Sequence, residues 1–200
     1  MADIAYGKGC NFRLRWRCRY IALSSCFQES VKAYRRRLEK IEADTRKLRE
    51  RACVNDVSEE EFWEHIERNY GMSKKKAARI AYSLCSVKKP VLKLVRRLRK
   101  RYKVAVLSNH MENWFNHLIA RHRLANEFDF IFTSFGERLA KPDKRIFRRV
   151  LKKTGMKPSE CIFIDDQKHY VKAASELGIN TVHFKTAKDL EQKLGKLIEF

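Results

Sequence analysis

From Gln28 to about Ala52, apolar residues return at helical spacing: Val31, Tyr34, Leu38, Ile41 and Leu48, with charge between them. The pattern predicts one long amphipathic helix, broken near Asp44-Thr45. In the following "VNDVSEEEFWEHIERNYG", Ser58 and Glu61 have capping-box spacing, Val57 and Phe62 suit a hydrophobic staple, and Gly71 suits a helix stop. Ser73 opens a third helix, "SKKKAARIAYSLC". Residues 28–87 therefore read as all-helical.

After "VKKP" the pattern changes. "VLKLVRRLRKRY" is a helix that leads into the continuous apolar run "KVAVLSN". "FDFIFTS", "CIFIDD" and "NTVHF" are further short apolar runs, separated by the helical stretches "MENWFNHLIARHRL", "KPDKRIFRRVLKKTG" and "KHYVKAASELG". "AKDLEQKLGKLI" closes the chain as a last helix. Strands that are apolar throughout and alternate with helices predict an α/β fold, a doubly wound parallel sheet covered on both faces. Residues 88–200 form this core, and residues 28–87 stand ahead of it as an inserted helical cap.

Residues 1–27 break the pattern. They are basic, and they stand where a first core strand is expected. In "NFRLRWRCRY", Arg13, Arg15, Arg17 and Arg19 alternate with Leu14, Trp16, Cys18 and Tyr20. As a strand, this stretch would place four guanidiniums on one face. The central strand of a parallel sheet is buried on both faces, and an unpaired buried charge costs several kcal/mol. Four such charges would exceed a domain's whole stability of about 5–15 kcal/mol. The stretch is thus excluded from the centre of the sheet. An edge strand, a nucleic-acid-binding arm, a transit-like segment and a product of a shifted reading frame all stay open. The last has a specific form. If Phe12–Arg19 is written TTT CGA CTT CGG TGG CGT TGT CGT, reading one base later gives Phe-Asp-Phe-Gly-Gly-Val-Val-Val.

Composition narrows the class. The chain has 200 residues, room for one domain with a modest insertion, and no window resembles a membrane span. The net charge of +21 attracts nucleic acid and anionic metabolites alike, but the basic residues are spread through many helices as on a solvated surface. Nucleic acid is therefore a secondary partner. The six cysteines show neither CxxC nor zinc-ligand spacing. Without a secretory signal they read as reduced thiols of a cytoplasmic protein.

The candidate chemistry lies at the strand ends, where ligands of doubly wound sheets bind. "KVAVL" runs into Ser108-Asn109, and "CIFI" runs into Asp165-Asp166. Adjacent carboxylates after a buried strand suit Mg²⁺, which takes oxygen ligands; capping of the next helix is the alternative. Lys141, held before Pro142, is aimed at the same edge, where it could pair with a carboxylate or a phosphate; taken alone, one more surface lysine is the alternative. Ser108-Asn109 could instead cap the helix that follows.

"VLSN", "KPDKRIF" and "FIDD", in this order and spacing, resemble the haloacid-dehalogenase-like (HAD) phosphohydrolase superfamily. "FTSFGERLAKPDKRIFRRVL" is similar to bacterial sugar-phosphate phosphatases and to the phosphatase domain of soluble epoxide hydrolases, the subgroup with a small helical cap. The resemblance implies a Rossmann-like core and a Mg²⁺-dependent phosphatase acting on a small phosphorylated metabolite through an aspartyl-phosphate. Ser108 and Asn109 would contact the phosphoryl group, Lys141 would hold nucleophile and phosphate, and Asp165 with Asp166 would bind the metal. Two departures stand out. Tyr170 occupies a position where the family often has Asn. The nucleophilic Asp of a DxDGT or DxGGV motif is missing, and Asp3 in "MADIAYG" has no apolar strand before it. The resemblance therefore implies impaired catalysis, and a non-catalytic HAD-like protein that binds nucleic acid is the alternative.

Overall fold

The computed structural model describes residues 3–7 by their backbone, together with residues 37–84 and 87–199. Five strands form one sheet: β1 (Asp3–Gly7), β2 (Val104–Ser108), β3 (Phe130–Thr133), β4 (Cys161–Asp165) and β5 (Asn180–His183). Their order is β3-β2-β1-β4-β5, and every pairing is parallel. Strand identity follows the apolar runs, because a strand buried on both faces has no polar side to alternate.

The helices before the core are α1 (described over 37–44), α2 (Arg46–Ala52), α3 (Glu59–Tyr70) and α4 (Lys74–Leu84). Thr45 separates α1 from α2, at the expected break, and its hydroxyl donates to the Ile41 carbonyl at 2.6 Å. The capping box forms as its spacing predicts: Ser58 Oγ accepts from the Glu61 amide at 3.1 Å, and the Ser58 amide donates to Glu61 Oε2 at 2.8 Å. Gly71 ends α3 at φ 62°, a left-handed conformation that costs glycine little. These helices share an apolar cluster of their own, built on Ile41, Phe62, Trp63, Ile66 and Met72, into which the core sends Met111 and Trp114.

The core helices are α5 (Lys89–Leu98), α6 (Glu112–His122), the single turn α7 (Ser134–Glu137), α8 (Lys144–Thr154), α9 (Lys168–Ser175) and α10 (Ala187–Leu194). On one side of the sheet, Val91, Leu94 and Leu98 of α5 and Leu190 and Leu194 of α10 pack on Val104, Ile162, Ile164 and Val182. On the other, Ile146, Phe147, Ala173 and Ala174 pack on Ala105, Leu107, Phe132 and Phe163. Ile162 and Ile164 therefore face one layer and Phe163 the other, the period-two consequence of a strand between two helical layers.

At the centre of the sheet the structure departs from the sequence reading. "NFRLRWRCRY" lies outside the described residues, and the place between β2 and β4 is taken by "DIAYG". Asp3 pairs with Cys161 and Gly7 with Asp165. The strand therefore begins at Asp3 and does not need apolar residues before it. A central strand must complete two backbone ladders, and between Asp3 and Gly7 the chain has only the uncharged Ile4, Ala5 and Tyr6.

Candidate active site

Three strands end together at the carboxyl edge: Gly7 of β1 is in register with Asp165 of β4, and on the other side β2 runs one residue further, to Ser108. Lys141 crosses this edge. Its ammonium donates to the Leu107 carbonyl of β2 at 2.9 Å and to Asp165 Oδ2 of β4 at 2.8 Å. Strands in a sheet lie about 4.8 Å apart, so a group that meets both neighbours of β1 lies over the end of β1 itself. The Lys141 and Asp165 side chains are wholly shielded from solvent. Burial pushes the Asp165 carboxyl above its ordinary pKa, while the Lys141 ammonium and the Gln167 amide pull it back. A carboxylate desolvated this far is held in place only by such partners.

Asn109 fixes the lysine from the backbone side. Its carbonyl oxygen accepts from the Lys141 amide at 3.0 Å, and its side-chain amide donates to the Lys141 carbonyl at 2.8 Å. Tyr170 adds the remaining wall. Its ring centroid is 5.1 Å from the ammonium, and its hydroxyl is 3.4 Å from Asn109 Nδ2. The aromatic residue standing where the family often has Asn thus faces both the cation and the amide that brackets it. Ser108, buried, ends β2 immediately before Asn109.

The capping alternative is met in part for Asp165, which accepts one backbone amide, although neither Asp165 nor Asn109 is itself an N-cap residue. The N-cap of α9 is Gln167, and Asp165 Oδ1 accepts from its amide at 2.8 Å. The N-cap of α6 is Met111, which gives no side-chain cap, while Asn109 is engaged with Lys141. Asp166 is exposed beside the buried Asp165, and its carbonyl lies 3.1 Å from His183 Nε2. α8 starts after Pro142 with Asp143 as its cap, leaving Lys141 outside the helix as expected.

The structure thus brings Asn109, Lys141 and Asp165 into direct contact, with Ser108 and Asp166 next to them in the chain. Asp165 and Asp166 offer oxygen donors only, the type a hard cation such as Mg²⁺ takes, with both Asp165 oxygens engaged by Lys141 and the Gln167 amide. Among the described residues, no group of three or more His, Cys, Asp or Glu could hold a metal. No helix among them is long and apolar enough to cross a membrane.

Sequence reasoning gave no role to two residues beside this site. Ser134 is fully buried, and its hydroxyl accepts from the His110 amide at 3.0 Å and donates to the Cys53 carbonyl at 2.5 Å. Glu59 is buried, and it accepts from the Asn113 amide at 2.8 Å. Ser134 carried a weak signal as a hydroxyl at a strand end; Glu59 read only as an acid in a first helical turn.

A family model described as haloacid dehalogenase-like hydrolase matches residues 22–184. The chain belongs to that family. Relatives among curated proteins include flavin mononucleotide hydrolase 1 of Arabidopsis thaliana, 32% identical over 42% of this chain and 34% of its own length. Acyl-CoA dehydrogenase family member 10 of Mus musculus is 42% identical over 34% of the chain and 7% of its own length. Bifunctional epoxide hydrolase 2 of Rattus norvegicus is 29% identical over 48% and 18%. The chain thus spans about a third or less of the curated relatives it matches. A HAD family enzyme of Bacteroides thetaiotaomicron in a magnesium complex superposes with TM-score 0.65 at 26% identity, covering 72% of this chain and 77% of that one. A mutant form of the same enzyme, with magnesium and inorganic phosphate, has the same fold at TM-score 0.70, with 22% identity over 92% and 94%.

Several basic residues of this HAD-like core are paired. Arg96 meets Glu127, Arg97 meets Glu191, Arg99 meets Asp129, Lys144 meets Glu176, and Lys153 meets Glu137. Exposed pairs of this kind contribute little to stability. They do spread the positive charge over the surface together with its counter-charges.

Proposed function

We propose that the chain carries the binding half of a Mg²⁺-dependent phosphatase site for small phosphorylated metabolites, and that its turnover is impaired because no carboxylate stands at the end of β1. The observation that carries this reading is Lys141, whose ammonium lies over the end of the central strand between Leu107 and Asp165. A cation there serves an oxyanion entering over Gly7, and Ser108 and Asn109 border the same space. Phosphoryl transfer needs mostly positioning and charge neutralisation from the protein. Lys141 and the Ser108 hydroxyl would supply both to the phosphoryl oxygens, and Asn109 would keep Lys141 in place.

Asp165 and Asp166 would hold Mg²⁺, which when bound would neutralise further phosphoryl charge. The step the site lacks is nucleophilic attack. In the aspartyl-phosphate route a carboxylate at the end of the first strand forms the bond to phosphorus, and the alcohol leaves with a proton. Gly7 is in register with Asp165 at that level. The magnesium and phosphate complex of the bacterial HAD enzyme and the name of the Arabidopsis hydrolase support this substrate class. Isothermal titration tests the binding half: orthophosphate or a phosphomonoester should bind in the presence of Mg²⁺, and Lys141→Met should abolish that binding. Equal binding by Lys141→Met would remove the site.

A further inference from the structure

The first amides of a helix have no intrahelical partner, and α6 provides no side-chain cap of its own, since its N-cap is Met111. The cap unit provides one. Glu59, the first residue of α3, is buried against the core, and its Oε2 accepts from the Asn113 amide at 2.8 Å and the Trp114 amide at 3.4 Å. Its other oxygen accepts from Trp63 Nε1 at 3.1 Å and from the Tyr82 hydroxyl at 2.8 Å. One carboxylate therefore joins α3, α4 and the start of α6, and its charge lies at the positive end of that helix. Burial, and then the contact with Glu59, raise the Tyr82 hydroxyl's pKa and keep it a donor.

A second tie lies next to the first. The Ser134 hydroxyl links the Cys53 carbonyl at the end of α2 to the His110 amide. Trp114 packs between them, 5.9 Å from the rings of both Trp63 and Tyr82, and 5.1 Å from His110. Both ties land between His110 and Trp114, immediately after Ser108-Asn109. That loop is the one that brackets Lys141.

We propose that Glu59 is a positioning residue, a latch by which the seated cap completes the start of α6 and so holds the Ser108–Asn109 loop against Lys141. Seating of the cap and binding of an oxyanion are then one event. The latch stands on the hydrogen bonds alone; its effect on oxyanions rests on the phosphomonoester reading above.

The test uses the full chain, amide hydrogen exchange and orthophosphate as the probe. Glu59→Ala should speed exchange at Asn113 and Trp114 by about fivefold or more relative to Phe163 and Ile164 in β4, the scale of a lost helix cap. Orthophosphate should bind several-fold more weakly. Glu59→Gln keeps a carbonyl acceptor and should restore part of both, and it carries the comparison if Glu59→Ala does not fold. Unchanged exchange at Asn113 and Trp114 overturns the latch. Equal acceleration in β4 reduces Glu59 to general stability and also overturns it. Local acceleration with unchanged phosphate affinity overturns the positioning role. If the unsubstituted chain binds no orthophosphate, the phosphomonoester reading fails and the positioning role falls with it, while exchange still decides the latch.

Discussion

β1 and β4 lie side by side, in register from Asp3 opposite Cys161 to Gly7 opposite Asp165. As backbone they are equivalent, since each completes parallel ladders on both sides. As chemistry they differ. β4 delivers a carboxylate to the carboxyl edge, where a buried lysine meets it; β1 has its carboxylate at the opposite end and arrives with glycine. A sheet needs from its central strand only uncharged residues of the right length and two sets of hydrogen bonds. Catalysis needs one particular group at one particular level. On the proposed reading, the fold tolerates at its central strand a residue that the chemistry does not.

The largest effect should come from Lys141, which bridges β2 and β4, the two neighbours of β1. Lys141→Met leaves Asp165 buried without its cation and should destabilise the chain by about 3–5 kcal/mol in urea unfolding. Adding Asp165→Leu should restore part of that loss, because the pair is then replaced by apolar groups. A loss for Lys141→Met below about 1 kcal/mol would mean that the pair does not hold the two strand ends together.

The opposite neighbour, β2, runs into a loop that buries His110. Burial lowers the His110 pKa from 6.5 to about 4. The folded chain therefore binds that proton less readily than the unfolded chain. The stabilisation is complete above pH 6.5 and is lost as the pH falls toward 4, about 3 kcal/mol in all. His110→Phe should flatten stability against pH across this window relative to the unsubstituted chain. Parallel curves for the two proteins would show that His110 ionises as freely folded as unfolded.

The smallest effect belongs to Tyr170. Tyr170→Leu removes a ring facing the Lys141 ammonium and should cost about 1 kcal/mol beyond its packing, which Tyr170→Phe should largely retain. A double-mutant cycle with Lys141→Met measures the coupling, and additive losses would assign the ring to packing alone.

Much of this was legible in the sequence. The apolar runs ending in Ser108-Asn109 and Asp165-Asp166 mark strands because nothing else buries such runs between charged helices, and "KPD" places a lysine before the helix it cannot join. The capping box at Ser58 and Glu61 is a local device and reads locally. The identity of the central strand did not: "DIAYG" is too weakly apolar to stand out, and its place is fixed by pairing with distant residues, Ile4 with Val104 and Asp3 with Cys161. Tyr170 was visible as a departure, but its contact with Lys141 was not. Glu59 was hidden for the same reason as the strand, since its partners on α4 and α6 meet only in the folded chain.

The proposed function turns on Gly7, at whose level the phosphomonoester site would lack its nucleophile. Hydrolysis of p-nitrophenyl phosphate with Mg²⁺, by the chain and by Gly7→Asp, tests it most directly. The chain should release little or no nitrophenol, and Gly7→Asp, with a carboxylate beneath the Lys141 ammonium, should gain turnover that Asp165→Asn abolishes. Robust turnover by the unsubstituted chain that survives Asp165→Asn would contradict the claim.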